Sequence, residues 1–420
     1  MPELRVIIVL PYSSLATSNG LKPNLFGDGY HVRLAKEIMK RSHKYQIECW
    51  RSERMLEQET RGEQGGIVYR AFPSWRPSLG RLTPFVYRKV VDLYAPLRWS
   101  LWREYSWSLL KALKEECAKG DTIVHLYQLH FDLSYLICLY LGGRVPIIGR
   151  HIGGTPYGYN LISYLSNLPL SLLERKALAN VDVMLLGTEW HYQSFKKFYK
   201  DIPRIVYPMP ECVDFDLFKP MDKLETKKLL GIAPDKKVVI HVGRFDKAKG
   251  FDTILDILPV LRRNYDVEFI AVGGTKQDML YKRAVDSGVR VLEWLPQEEL
   301  VRYYSASDVF LFPKFYDKER EADSEKFMGA GVACVEALGC GLPVVGTNLK
   351  GFFATPDELR GIGEIPSSRW RLLHCIMKVL DYPENYTRCR EVAVKYYSWT
   401  PIVERLLGVF DEVSEKYYGR

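Results

Sequence analysis

Continuous apolar runs of strand length, each followed by a segment of helical period, recur along this chain, and no other feature narrows its fold so far. In the first half the runs are "RVIIVLP", "QIECW", "IVYRAF", "TIVHLYQ", "VPIIGRH" and "VMLLGTE"; in the second they are "KVVIHVG", "DVEFIAVGG", "RVLEWLP", "DVFLFP" and "LPVVGTN". Between them lie stretches such as "YHVRLAKEIMKR", where Val32, Ala35, Ile38 and Met39 fall at helical spacing, and "QEELVRYYSAS". A strand that is apolar without alternation has to be covered on both faces, the condition of a parallel sheet flanked by helices. The rhythm therefore predicts an α/β protein with two doubly wound domains. A length of 420 residues has room for them. The seam falls in "YPMPECVDFDLFKP", residues 207–220, where three prolines interrupt the alternation.

Several classes of function are set aside by composition. With 47% hydrophobic and 26% charged residues the chain reads as globular. No apolar run approaches the ~20 residues needed to span a bilayer, and "LRVIIVLP" reads as a first buried strand, with no small-residue cleavage site after it. The eight cysteines, Cys49, Cys117, Cys138, Cys212, Cys334, Cys340, Cys375 and Cys389, form no CxxC pair, which points to reduced thiols in a cytoplasmic protein and to no metal site. A net charge of +8 suits an anionic ligand or membrane surface, and without a recognisable motif it makes no case for nucleic acid.

In open α/β sheets ligands bind beyond the carboxyl ends of the strands, so the turns after strands carry the functional signal. In "HVGRFDKAKGFDTIL", residues 241–255, Gly243 and Gly250 allow a tight turn from strand to helix, and Arg244 and Lys249 offer a planar fork and a mobile point charge suited to two linked phosphates. Two solvated loop charges would look the same. In "MGAGVACVEALGCGLPVVGTN", residues 328–348, Gly329 and Gly331 precede a helix whose first N–H groups can receive an anion. Glu336 lies about 1.4 turns into that helix, where its carboxylate can reach a ribose hydroxyl and, in so apolar a setting, needs a partner. A third turn, "NLFGDGYHVRLAKEI", places Gly27 and Gly29 before a helix; a plain turn reads equally well.

Taken in order, "GDGYHV", "VHLYQLH", "GRHIGG", "PECVDFDLFKP", "VGRFDKAKG", "LPQEELVRYYSASDVFLFP", "GAGVACVEALGCGLPVV" and "YSWTPIVERLLGVFDEV" resemble the retaining glycosyltransferases of the GT-B fold, in the glycogen-synthase-like group, family 4. The resemblance is strongest over residues 237–348. It implies two Rossmann-like domains facing a central cleft: an acceptor-side domain over 1–208, a nucleotide-sugar domain over 209–395, and a C-terminal helix over 396–420 that packs back on the first. It implies that Arg244 and Lys249 hold the donor diphosphate, that Glu336 binds the ribose, and that Leu295 and Pro296 lie near the base. The backbone at Gly27, Gly243, Gly329, Gly331 and Val332 would approach the donor, and His151 in "GRHIGG" would line the reacting centre. Asp28, Gly29 and His130 are candidates for sugar or acceptor contacts, while His125 reads equally as a buried structural residue. The implied activity is hexosyl transfer with retention from a nucleotide sugar to a glycan or lipid-linked acceptor, with the nucleotide sugar as co-substrate and neither metal nor other cofactor.

One departure stands out. The family's pattern of Glu, seven residues, Glu has Met328 at its first position here, after the charged insertion "KFYDKEREADSEKF". Glu325 or Asp323 from that insertion, or backbone N–H groups of residues 329–332, would then hold the donor sugar, with Glu325 preferred. A nucleotide-sugar epimerase of the same fold and a noncatalytic nucleotide-binding module remain as alternatives. Finally, residues 74–107 interleave Trp75, Trp99, Trp102 and Trp107 with arginines and lysine, an aromatic-basic pattern that suits a peripheral contact with the inner face of an anionic membrane or an insertion packed on itself.

Overall fold

The computed structural model describes residues 4–11, 29–54, 56–75, 105–152, 161–166, 168–202, 204–313, 329 and 331–419. Gly27, Asp28, Asp323, Glu325, Met328 and residues 76–104 lie outside these described residues. The chain divides into two compact units, one of Met1–Met209 with Thr400–Arg420 and the other of Pro210–Trp399.

The first unit is built on eight strands: β1 Leu4–Leu10, β2 Tyr45–Glu53, β3 Thr60–Gln64, β4 Ile67–Pro73, β5 Thr122–Leu126, β6 Ile147–His151, β7 Val183–Leu186 and β8 Ile205–Val206. Their order is β3-β4-β2-β1-β5-β6-β7-β8, and every pairing is parallel except β3 with β4. Burial of β1 and β5 on both faces matches their unbroken apolar sequence. The helix Tyr30–Arg41 covers the sheet with Val32, Leu34, Ala35 and Ile38, while Met39 is only partly buried.

β3 has no apolar signature. Its sequence, TRGEQ, is polar and largely exposed, and it forms because the Gly65–Gly66 turn folds it back on β4, pairing Gln64 with Ile67. The C-terminal helix Trp399–Tyr418 belongs to the same unit through specific polar contacts. Asp182, at the head of β7, accepts from Lys416 at 2.7 Å and from the Tyr417 hydroxyl at 3.0 Å, and also receives the N–H of Ile147 at 2.9 Å. The Tyr418 hydroxyl donates to the carbonyl of Thr122 at 2.7 Å.

The second unit has six strands: β9 Lys237–Val242, β10 Val267–Val272, β11 Arg290–Leu292, β12 Val309–Phe312, β13 Val344–Gly346 and β14 Gly363–Glu364. All pair in parallel, in the order β11-β10-β9-β12-β13-β14. This is the order of a dinucleotide-binding sheet, and it reverses between β9 and β12. The helix Phe251–Asn264 turns Phe251, Ile254, Leu255, Leu258 and Leu261 onto the core, where the Phe245 and Phe251 rings stack at 4.1 Å.

Arg390 ties the entry of this unit to its core. Its guanidinium donates to the carbonyls of Phe215 at 2.9 Å, Phe218 at 2.8 Å and Gly339 at 2.7 Å. Three carbonyls in a partly buried seam lose their donor together if it is removed. Arg390→Ala is expected to destabilise the unit by about 2–3 kcal/mol, the scale of a charged hydrogen bond with partly buried acceptors. The measurement is the urea midpoint of the transition that unfolds residues 210–399; an unchanged midpoint would refute the clamp.

Candidate functional site

The reversal between β9 and β12 makes the carboxyl ends of these strands the expected place for a ligand, and the second unit carries its charged turn there, directly after β9. Gly243 follows β9 and donates its N–H to the carbonyl of Val272 at 2.9 Å, so the turn departs from a fixed point. Arg244 comes next, 69% exposed in its side chain, with Nη2 3.3 Å from Oδ2 of Asp246. The other oxygen of Asp246 accepts the backbone N–H of Lys249 at 2.9 Å and caps the single turn Lys247–Lys249. The two cations therefore hang from one carboxylate-braced turn.

Lys249 is not a solvated loop charge. Its ammonium sits 5.3 Å over the ring of Phe312 at the end of β12, and burial, followed by the nearby Arg244 charge, lowers its pKa. Underneath, His241 is fully buried, its Nδ1 2.9 Å from the carbonyl of Leu311. Burial pushes this imidazole down to about 4, so it is neutral at ordinary pH and adds no charge beneath the turn. The turn thus offers an exposed guanidinium and a half-buried ammonium.

On the β12 side the helix Val332–Gly339 starts at Gly331, whose φ of 76° lies in the left-handed region that glycine adopts without strain. Its first turn holds no acidic residue, and among the described residues no side chain caps it, an arrangement that suits an anion. Glu336, 6% exposed, has its partners: Gln297 Nε2 at 3.1 Å and the Tyr304 hydroxyl at 3.2 Å. Gln297 opens the helix Gln297–Ala306 directly after Leu295 and Pro296. One hydrogen bond therefore joins the turn expected near the base to the carboxylate expected near the ribose.

The first unit carries the histidines. His151 ends β6 and is buried, its ring 5.4 Å from that of His130, 4.7 Å from His191 and 5.0 Å from Phe195. Neither ring nitrogen of His151 has a hydrogen-bond partner among the described residues, so it is not a strand-end histidine satisfied by the backbone. Burial, then His191 and His130, holds its pKa well below the usual imidazole range. His191 is placed by Thr188, whose hydroxyl lies 2.6 Å from its Nδ1. His125 stands apart, buried in β5 with its ring 6.2 Å from Phe410 of the C-terminal helix, a structural position. Gly29 precedes the helix Tyr30–Arg41, and a Cβ there would fall 2.7 Å from the His31 ring, which would have to move aside.

Sequence reasoning does not single out His191, Asp132, His241, Gln297 or Tyr304. Only Thr188, three residues before His191, carries a local signal, that of a helix cap. Asp132 opens the helix Asp132–Leu141, receives the Tyr105 hydroxyl at 3.3 Å, and is raised to about 7 by burial and then by the Glu174 charge. Among the described residues no group of three His, Cys, Asp or Glu side chains is placed to hold a metal ion.

Two parallel α/β units in one chain, with these loops at their strand ends, are the GT-B class of fold. The likeness is borne by sucrose-phosphate synthase from Thermosynechococcus elongatus, which superimposes with a TM-score of 0.67 at 16% identity, covering 98% of this chain and 99% of that one. Residues 222–395, most of the second unit, match the family described as glycosyl transferases group 1. The chain is 27% identical over 253 residues to a D-inositol 3-phosphate glycosyltransferase of Segniliparus rotundus, covering 56% of this chain and 54% of that protein. It is 24% identical over 246 residues to a GDP-mannose-dependent monoacylated alpha-(1-6)-phosphatidylinositol monomannoside mannosyltransferase of Corynebacterium glutamicum, covering 56% and 63%. The chain thus spans little more than half the length of the curated relatives it matches.

The raised pKa of Asp132 has a consequence for stability. A carboxyl whose folded pKa lies near 7, above an unfolded value of about 3.9, favours folding fully below about pH 4 and loses that contribution as pH rises through about 7. Asp132→Asn, which cannot ionise, is expected to gain on the wild type as pH rises from about 4 to about 7, by at most roughly 4 kcal/mol, and to keep that gain above. Denaturant titrations at several pH values check this; a constant difference between the two proteins would show that Asp132 titrates normally.

Proposed function

We propose that this protein is a retaining glycosyltransferase that moves a hexose from a nucleoside-diphosphate sugar to an acceptor hydroxyl. The observation that carries the reading is the braced pair of cations, Arg244 and Lys249, on the turn after β9 at the reversal point of a glycosyl transferases group 1 unit. As the bond from the anomeric carbon to the donor phosphate breaks, negative charge grows on the departing diphosphate. Fixed positive charge lowers that barrier because it needs no reorganisation when the charge appears. The acceptor oxygen forms the new bond to the anomeric carbon, and its proton passes to the departing phosphate oxygen. The helix start at Gly331 adds N–H donors to the same anion, and Glu336, aimed by Gln297 and Tyr304, takes the ribose hydroxyls. In the first unit the neutral, unpartnered His151 supplies an acceptor for a sugar hydroxyl.

The relative from Corynebacterium glutamicum is named for GDP-mannose and for a phosphatidylinositol mannoside. Its name supports a nucleotide-sugar donor here and a glycan or lipid-linked acceptor. Trp75 and Trp107, 48% and 63% exposed, stand at the two ends of the aromatic-basic segment, which supports a peripheral contact with an anionic membrane. No helix among the described residues is long and apolar enough to cross one. Eight free, buried thiols support a reducing, cytoplasmic setting.

Thermal shift against a panel of nucleoside diphosphates and nucleotide sugars identifies the donor, since a ligand at 100 times its Kd adds about 2.7 kcal/mol. With that donor, Arg244→Ala and Lys249→Ala are each expected to lower turnover by about a hundredfold or more, the cost of one preorganised donor. Wild-type rates in both variants would overturn the assignment. A donor sugar that changes configuration without acceptor would indicate an epimerase instead.

A further inference from the structure

Residues 168–178 form a helix with two faces of opposite character. Ser171, Glu174, Ala177 and Leu178 are buried against the first unit, Glu174 taking the Tyr135 hydroxyl at 2.6 Å. The outward face runs Leu168, Leu172, Arg175 and Lys176, at intervals that keep all four on one side. Leu168 is 40% and Leu172 52% exposed, and the preceding helix Leu161–Ser166 presents Leu161 at 70% and Leu165 at 60%, again one turn apart. Four leucines thus stand in solvent within twelve residues. An outward helix face in water is ordinarily polar, so a cluster of this kind marks a surface that something apolar covers.

The charges beside the leucines say what covers them. The Arg175 guanidinium lies 5.7 Å over the Tyr164 ring, joining the two helices, and donates to the carbonyl of Phe198 at 2.8 Å. That bond brings in the end of the helix Glu189–Phe198, which carries Lys196 and Lys197, with exposed Lys200 just beyond. The acids nearby are Glu174, buried; Glu189, at the far end of its helix and bonded to Gln193; and exposed Asp201. We infer that this leucine face with its cationic border is a lipid-binding surface, seated on an anionic bilayer with the leucines at the acyl boundary and Lys176, Lys196 and Lys197 among the headgroups. A second copy of the chain fits less well, because pairing like faces would bring the same lysines and arginine against each other. The surface lies outside the aromatic-basic segment, and rests on the proposed reading only for its purpose, which is to bring the acceptor half of the enzyme to a lipid-linked acceptor.

The test is co-sedimentation of the full chain with phosphatidylcholine vesicles, with and without phosphatidylglycerol. Binding is expected on the anionic vesicles alone and to weaken with salt. Leu165→Ser with Leu172→Ser, and separately Lys176→Gln with Lys196→Gln and Lys197→Gln, should each reduce it by at least about tenfold. Both variants should keep the wild-type affinity for nucleoside diphosphate, which shows that they are folded. Wild-type sedimentation of both, loss of binding only on Trp75→Ser with Trp107→Ser, or a leucine variant that changes oligomeric state instead, would each overturn the inference. A wild type that binds vesicles but no nucleotide would instead count against glycosyl transfer.

Discussion

The parallel pairing of β9 with β12, Val309 beside Val239 and Phe310 beside Ile240, is the interaction on which the placement of the charged turn depends. It joins strands that lie far apart in the chain, and the crossovers on its two sides run in opposite directions. The carboxyl ends of these two strands therefore mark the point at which sheets of this order bind ligands. Lys249 comes from one loop and Phe312 from the end of the other strand, and their contact at 5.3 Å holds the ammonium where neither strand alone could place it.

Burial does different work in the two units. In the second, a buried neutral His241 adds no charge beneath the turn, and Asp246 braces the turn while offsetting part of the positive charge of Arg244. In the first, burial holds the pKa of His151 well below the usual imidazole range, so that this ring adds no charge beside His130 and His191. Asp132, held near neutrality's edge at about 7, belongs to the same economy: where solvent is excluded, protonation costs less than an unpaired charge.

The GT-B fold and the glycosyl transferases group 1 match of residues 222–395 agree with the fold and family that the ordered motifs resemble. Individual roles rest on local geometry. Glu336 needed a partner because its helix is apolar, and Gln297 and Tyr304 donate to it from a segment more than thirty residues earlier. Lys249 is partly buried over the Phe312 ring, unlike a bare loop charge, while Arg244 remains largely exposed.

Strand by strand, the sequence by itself determined the two parallel sheets, because unbroken apolar runs such as VVIHV and RVIIVL have no stable place except between two layers of helices. It also determined where the charged turn lies, since a strand must end at Gly243 and a helix begin at Phe251. It was silent on β3, whose polar residues pair only because Gly65 and Gly66 return the chain to β4. Only the tertiary structure decided which loops meet. His191 reaches His151 across the β6–β7 pair, Gln297 reaches Glu336, and Lys416 reaches Asp182, each joining residues from separate elements. The physical reason is that periodicity records which face of an element is buried, whereas partnership depends on strand order, and strand order is set by crossovers that leave no local trace in the residues they connect.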